Sequence, residues 1–284
     1  MAALPPASAW RPLLERALEE DLGPGDVTSA PLVAPERRGH ARIEACAPLV
    51  ACGLPVAAAT FRALDPEVVF TARCAEGDRL RPGDLLAELH GRLLALLGAE
   101  RTALNFLYRL CGIATLTRRF VDAVAGTGVH ILDTRKTVPG WRVLDKYAVA
   151  VGGGVNHRAG LYDGILVKDN HIAVAGGVGA AVKAIRAAAP PHLRIQVEVE
   201  SEAQAEEAIA AGADLLLLDN RSVEELRRFA QRFRDRVQLE ATGGVTLENV
   251  RAVAESGVQR ISVGALTHSA PGADVSLEIS GSDA

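Results

Sequence analysis

The sequence predicts an α/β protein in which an N-terminal α+β sandwich domain precedes an incomplete, six- or seven-stranded β/α barrel. From about residue 129 onward, short runs rich in Val, Ile and Leu alternate with Ala-rich helical patterns, which is typical of parallel strand–helix units. The later units recur roughly every 20 to 25 residues, whereas an eight-stranded barrel of 250 residues uses about 31 per unit. The chain is therefore short for eight units, and a doubly wound sheet is the alternative fold.

Six apolar runs of this second half become polar at their C-terminal ends, as strands do when they lead into a ligand-binding edge. We predict strands at 130–134, 164–169, 194–200, 214–220, 237–242 and 260–265.

The helices between these strands are marked by their termini. Two segments fit the capping box, one threonine is a predicted N-cap, and two glycines are predicted to end helices before the next strand. These are Ser201 with Gln204, Ser222 with Glu225, Thr246, Gly212 and Gly257.

The N-terminal part has a different pattern, with a helix, a Gly- and Pro-containing loop, strand-like runs and a long apolar helical period. The helix is predicted at 12–21, the strands at 39–52, 67–74 and 84–90, and the apolar period at 96–107. We expect a first domain over 1–112 and the barrel over 113–270, joined by a helix near 112–125. The C-terminal tail, 271–284, is expected to pack with the first domain.

Composition excludes several classes of protein. Of 284 residues, 49% are hydrophobic and 23% are charged, with a net charge of −4, which rules out disordered and fibrous chains. A mildly acidic chain gives no reason to expect nucleic acid or a membrane as partner. The N-terminus has no basic-then-apolar signal pattern, so we expect a cytoplasmic protein. Its four cysteines lack metal-ligand spacing, which indicates reduced, mostly buried thiols and no zinc site.

Charged residues of both signs follow the predicted strands, where ligands bind in such folds. The cations lie early, as Arg135, Lys136, Lys168 and the loop residues His157 and Arg158. Only four of the 31 basic residues are lysine, and three of those lie between 136 and 168, which favours a requirement for ammonium groups there.

The middle strands supply carboxylates, namely Asp219 and either Glu198 or Glu200, with Glu198 preferred. A site with a cationic half and a carboxylate half suits a polyanionic substrate held partly through Mg²⁺. The last two strands are followed by Gly243, Gly244 and Gly264, and a helix is predicted to open at Thr246. Backbone N–H groups there could converge on a phosphate.

These residues leave other functions open. A lysine at a barrel strand end, here Lys168 in an apparently buried strand, also fits a Schiff-base lyase, which borohydride would trap as a covalent adduct. A phosphate-binding regulator without catalysis would bind the same anions and release no pyrophosphate.

A longer pattern resembles a known family. The segment 133–172, DTRKTVPGWRVLDKYAVAVGGGVNHRAGLYDGILVKDNHI, is similar to the central signature of the quinolinate phosphoribosyltransferases. The likeness continues in ALEEDLGPGDVTS, ERTALNFLYRLCGIAT, LLLLDN, EATGGVTLENV and ISVGALTHSA, in the family's order.

The resemblance implies transfer of phosphoribosyl from phosphoribosyl pyrophosphate to quinolinate, with loss of CO₂, in NAD biosynthesis. It implies a homodimer, or a hexamer built from dimers, in which Arg101 reaches the neighbour's site. Rival acceptors are nicotinate alone or those of a paralogue associated with metal uptake. Thr242 stands where the family often has Ser.

The roles that the resemblance implies fall into four groups. Quinolinate is held by Arg135, His157 and Arg158, while Lys136 and Lys168 lie among the substrate carboxylates and pyrophosphate and act in catalysis. The acidic pair for the ribose hydroxyls and Mg²⁺ is Glu198 and Asp219, and the 5′-phosphate loops are Thr242, Gly243, Gly244, Gly264 and Ala265.

Overall fold

The computed structural model describes residues 2–282. The strands are β1 (Arg38–Ala45), β2 (Leu49–Val50), β3 (Val69–Ala72), β4 (Arg79–Leu80), β5 (Leu85–Arg92), β6 (His130–Leu132), β7 (Ile165–Val167), β8 (Ile195–Glu198), β9 (Leu215–Asp219), β10 (Gln238–Thr242), β11 (Arg260–Ser262) and β12 (Val275–Ser282). The helices are α1 (Arg11–Leu22), α2 (Leu54–Leu64), α3 (Leu93–Ala123), α4 (Arg142–Val151), α5 (Asp169–Ala175), α6 (Val178–Ala188), α7 (Glu202–Ala210), α8 (Val223–Phe233), α9 (Val250–Ala254) and α10 (Ala265–His268). A short 3₁₀ turn, Ala7–Ala9, precedes α1.

The chain forms two compact units. The first comprises residues up to 118 together with 137–153 and the residues from 269 onward, and the second comprises 119–136 and 154–268. The predicted boundary near 112 stays a prediction of the sequence.

The first unit contains a four-stranded antiparallel sheet in the order β12-β1-β5-β3. Strand β1 buries alternate side chains, among them Ala41, Ile43 and Ala45, as a half-buried strand should. The tail contributes β12, which pairs with β1 from Ala45↔Val275 to Gly39↔Ser282. Positions 283–284 of the predicted tail lie outside the described residues.

Close packing of two helices, α3 and α4, explains the glycine at position 152. Helix α3 is continuous over 31 residues, so it includes both the apolar period at 96–107 and the joining helix predicted near 112–125. The end of α4 comes so close to α3 that a Cβ at Gly152 would lie 2.6 Å from the Ala114 carbonyl oxygen. Only glycine allows this approach without a shift of the backbone.

The second unit is a six-stranded parallel sheet in the order β6-β11-β10-β9-β8-β7. Strands β7 to β11 are neighbours in chain order, and β11 then pairs with β6, so the order is that of a barrel and not of a doubly wound sheet. Within 2–282, no ladder joins β6 to β7; an isolated bridge, Leu132↔Val155, lies beside β6. The predicted incomplete barrel is confirmed, with six strands.

Each of these strands lies within its predicted segment, but two of the predicted helix caps differ from the structure. Ser222 and Glu225 form the reciprocal capping box, whereas Gln204 bonds the Glu200 N–H and Ser201 caps α7 alone. Thr246 begins no helix. Its N–H donates to Asn249 Oδ1 at 2.9 Å and Asn249 Nδ2 donates to the Gly244 carbonyl, so Asn249 closes a loop and α9 starts at Val250.

Two further expectations concern membranes and thiols. None of the helices described in 2–282 combines the length and apolar composition that crossing a bilayer requires. The cysteines are free thiols: Cys52 and Cys111 are buried, Cys74 is half-buried and Cys46 is exposed.

Candidate active site

A cavity of about 400 Å³ lies in the second unit, at the C-terminal ends of its parallel strands. It is lined by every predicted site residue except Arg101, namely Arg135, Lys136, His157, Arg158, Lys168, Glu198, Asp219, Thr242, Gly243, Gly244, Gly264 and Ala265. The cations, carboxylates and glycine loops at the predicted strand ends therefore surround one cavity.

Two candidates lie elsewhere. Arg101 is an exposed residue of α3 and does not line this cavity. Glu200 is also exposed, and its N–H donates to Gln204 Oε1 at 2.7 Å. Glu198 lines the cavity and Glu200 does not.

The two arginines give the cavity a concentrated positive charge. Burial lowers the pKa of Arg158, and the neighbouring charge of Arg135 lowers it further. Arg158 Nη1 donates to the Gly164 carbonyl at 3.0 Å, which fixes one edge of the guanidinium. The Asp163 carboxylate partly offsets the repulsion between the two guanidinium groups, and an anionic ligand would offset it further.

The two lysines differ from the prediction in one respect. Lys168 is not buried in a strand, because β7 ends at Val167 and the Lys168 side chain is 51% exposed. Its Nζ lies 3.6 Å from Glu198 Oε2. Lys136 is held by its backbone, whose N–H donates to Thr134 Oγ1 and whose carbonyl accepts from Thr267 Oγ1.

The carboxylates Glu198 and Asp219 end the adjacent strands β8 and β9. Burial raises the pKa of Glu198; the Lys168 ammonium opposes this shift and the Asp219 carboxylate reinforces it. Glu198 Oε2 is buried and has no partner at hydrogen-bond distance within 2–282, since the Lys168 ammonium with which it pairs lies 3.6 Å away. A buried oxygen without a hydrogen bond is costly, and a bound cation or hydroxyl would complete its contacts.

The loop after β10 depends on a glycine. Gly243 has φ +84°, and a Cβ there would lie 2.3 Å from Asn220 Oδ1 and 2.5 Å from Asp219 Oδ1. Asn220 itself has φ +52°, an unusual value for a side chain other than glycine. The absent side chain at 243 thus lets the acidic strand end and this loop come together.

No helix opens at Thr246, contrary to the sequence prediction, because α9 starts at Val250 and spans only five residues. Any phosphate affinity here comes from the loop backbone. Gly264 also allows close packing, because a Cβ at this position would lie 3.2 Å from Lys136 Cδ and 3.1 Å from His268 Nε2.

Several lining residues were missed by sequence reasoning, among them Thr134, Glu240, Ser262 and His268. Glu240 had a detectable signal. It is an acidic residue inside a buried strand, two positions before Thr242, and alternate residues of a strand share a face. His268 had none, since it lies in a four-residue helix after the last strand.

Comparisons with known proteins agree with this architecture. Residues 113–278 match the model of the quinolinate phosphoribosyl transferase C-terminal domain, and residues 26–111 match that of the N-terminal domain. A probable nicotinate-nucleotide pyrophosphorylase [carboxylating] of Bacillus subtilis is 45% identical over 94% of this chain and 92% of its own. The human nicotinate-nucleotide pyrophosphorylase [carboxylating] is 40% identical over 98% of this chain and 94% of its own.

A solved structure supports the same assignment. The crystal structure of NadC from Streptococcus pyogenes superposes with a TM-score of 0.93 at 38% identity, covering 98% of each chain. Both domain models, the relatives and this structure cover nearly the whole sequence. The chain therefore belongs to the quinolinate phosphoribosyltransferase family.

Proposed function

We propose that the cavity binds quinolinate and phosphoribosyl pyrophosphate side by side and transfers the phosphoribosyl group to quinolinate. The C1–oxygen bond to pyrophosphate breaks and the pyridine nitrogen bonds to C1. The carboxylate next to the ring nitrogen then leaves as CO₂, and the electron pair of the broken carbon–carbon bond stays on the ring carbon, where the pyridinium charge stabilises it. A proton from solvent then adds to that carbon. The products are nicotinate mononucleotide, pyrophosphate and CO₂, and no protein nucleophile is required. Family membership gives no support to a Schiff base on Lys168.

The observation that carries this proposal is the convergence of fixed cations on a cavity that also holds the carboxylates of Glu198, Asp219 and Glu240. The acceptor brings two carboxylates and the donor brings a pyrophosphate, so the reactants repel each other unless cations separate them. Arg135, His157 and Arg158 are proposed to hold the dicarboxylate. Lys136 and Lys168 are proposed to lie between it and the pyrophosphate.

The carboxylates are proposed to act on the ribose side. Loss of pyrophosphate develops positive charge on the ribose, which Glu198 and Asp219 would stabilise from fixed positions. The phosphate of the ribose is proposed to lie against the backbone of Gly243, Gly244, Gly264 and Ala265, beside Thr242. Thr242 Oγ1 donates to the Ser262 carbonyl at 3.2 Å, so its oxygen remains an acceptor and its hydrogen is engaged.

Magnesium fits this arrangement as a shared cation. Within residues 2–282, no group of three or more His, Cys, Asp or Glu side chains could hold a metal alone. Mg²⁺ commonly uses one or two protein carboxylates and completes its shell with phosphate oxygens and water. Glu198, with its buried oxygen without a hydrogen bond, and Asp219 are the proposed contacts, directly or through water. The bound ion would neutralise the pyrophosphate as it leaves.

The proposed function is tested by following the labelled carboxyl carbon of quinolinate into CO₂. With carboxyl-labelled quinolinate, phosphoribosyl pyrophosphate and Mg²⁺, we expect labelled CO₂ in equal amount to pyrophosphate. Omitting any one component should abolish both products. Binding of both substrates without release of pyrophosphate would instead indicate a regulator, and release of pyrophosphate with nicotinate alone would indicate a different acceptor. A cytoplasmic location stays a prediction of the sequence.

A homodimer is the proposed assembly, with Arg101 completing the partner's site. Arg101 is exposed on α3, and the second unit exposes the large apolar side chains Leu161, Tyr162 and Val174, each by at least 74%. Exposed apolar groups of this size favour burial against another protein surface. The molar mass of the protein in solution would show whether the dimers assemble further into a hexamer.

Mixing two inactive variants tests the role of Arg101. Arg101→Ala and Asp219→Asn should each be nearly inactive alone. If Arg101 acts on its partner, one site of each mixed dimer is intact, and unfolding and refolding the two together should restore about a quarter of the wild-type sites. Each variant refolded alone is the control. No recovery in a verified mixed dimer would place Arg101 outside the partner's site.

A further inference from the structure

The interior of the barrel at the floor of the cavity is polar, and Glu240 lines the cavity itself. Barrels of this kind normally fill their interior with Val, Ile and Leu. Here Gln196 and Glu240 are buried on β8 and β10, with 4% and 1% of their surfaces exposed. Arg260 pairs with Glu240 in the register of β10 and β11. None of these three residues has been given a part in substrate binding above.

The Glu240 carboxylate has a partner for each oxygen. Arg260 Nε donates to Oε2 at 2.9 Å, and His157 Nε2 lies 3.4 Å from Oε1. Burial by itself would raise the pKa of Glu240, but His157 and Arg260 together hold that pKa below its usual range. The carboxylate is therefore a fixed acceptor directed at the His157 ring.

His157 is oriented by contacts on three sides. Its backbone N–H donates to the buried Asp133 carboxylate at 2.7 Å, and its Nδ1 accepts from the Arg158 N–H at 2.7 Å. Because Nδ1 accepts, Nε2 is the nitrogen that carries hydrogen in this arrangement. Both groups that face Nε2, Gln196 Oε1 at 2.9 Å and Glu240 Oε1, are acceptors.

We propose that Glu240 is a positioning residue for the acceptor site. Arg260 holds the Glu240 carboxylate, which fixes the His157 ring, and the ring in turn fixes the backbone N–H of Arg158. The inference rests on the proposed function, in which His157 and Arg158 belong to the quinolinate site. Because both ring nitrogens of His157 are engaged within the protein, the ring sets the shape of the site and the Arg158 guanidinium makes the charged contact. The inference assigns a specific consequence to the buried acid, since the contacts of its carboxylate are with Arg260 and His157 and not with the glycine loops proposed to hold the phosphate.

Glu240→Gln tests the proposal with little change in volume. An amide has one acceptor atom, so it cannot accept from both Arg260 and His157 as the carboxylate does. We expect the KM for quinolinate to rise about tenfold or more, by analogy with loss of the hydrogen-bond partner that orients a metal-bound histidine. The KM for phosphoribosyl pyrophosphate and kcat should stay within about twofold. Glu224→Gln, an exposed position on α8, is the matched control.

A spectroscopic measurement separates positioning from general stability. In ¹⁵N-histidine-labelled protein, the wild-type His157 signals should report hydrogen on Nε2, with assignment from their loss in His157→Gln. Glu240→Gln should shift this pattern. If Glu240→Gln does not fold, Glu240→Asp, which keeps the charge and shortens its reach, should show the same selective rise in KM to a smaller extent.

Two outcomes overturn the inference: a folded variant with unchanged KM for quinolinate, or equal changes in the KM of both substrates with an unshifted His157 pattern. Failure of the proposed function is distinguishable. In that case the wild-type protein itself would release no CO₂ from quinolinate.

Discussion

Replacing Gly243 with Ala is expected to lower kcat/KM by about 100-fold or more, the effect of displacing a reacting group by about 1 Å. The new Cβ would lie 2.3 Å from Asn220 Oδ1 and 2.5 Å from Asp219 Oδ1, well inside contact distance. Either the loop or the Asp219 carboxylate must move. Both belong to the proposed ribose and phosphate side of the cavity, so the loss should appear with both substrates at saturation.

Gly126→Ala is the matched control for this change. Gly126 has φ +80°, close to the +84° of Gly243, but no atom lies within 4 Å of its Cβ position. Both variants should lose about 1 to 2 kcal/mol of folding stability from the left-handed backbone. Only Gly243→Ala should lose activity, and equal activities in the two variants would contradict the crowding at Asp219. Thermal unfolding and steady-state kinetics measure the two effects.

Much of the barrel was predictable because its strands and helix ends obey local rules. Runs such as Leu215–Asp219 are apolar until the last residue, and Ser222 with Glu225 forms the capping box that the spacing predicts. Gly212 and Gly257 have φ +99° and +103°, as helix-ending glycines require. These features depend on neighbours within a few residues, which is why the sequence reveals them.

The remaining features depend on contacts between distant residues. Asn249 closes the loop that carries Gly244, and α9 starts at Val250 instead of directly after Thr246, a difference that helix propensity does not reveal. The choice between Glu198 and Glu200 required the end of β8 to be known, since strand alternation puts both on one face. The exposure of Lys168 likewise follows from where β7 stops.

Removing a guanidinium from the cationic half should affect quinolinate selectively. Arg158→Ala is expected to cost about 1.5 to 3 kcal/mol of quinolinate binding, or about 10- to 150-fold in Kd, because a charged hydrogen bond is lost. Arg135→Ala should behave alike. Nicotinate, which has one carboxylate fewer, should lose much less. Arg227→Ala, which removes a half-exposed arginine on α8, should leave both affinities unchanged.

The measurement that tests the central claim most directly is calorimetric titration of wild-type protein and of Arg158→Ala with quinolinate and with nicotinate. If guanidinium groups of this cavity hold the second carboxylate, the wild-type preference for quinolinate should shrink by at least about tenfold in the variant. Equal losses for both ligands, or none for either, would contradict the claim that these cations bind the dicarboxylate.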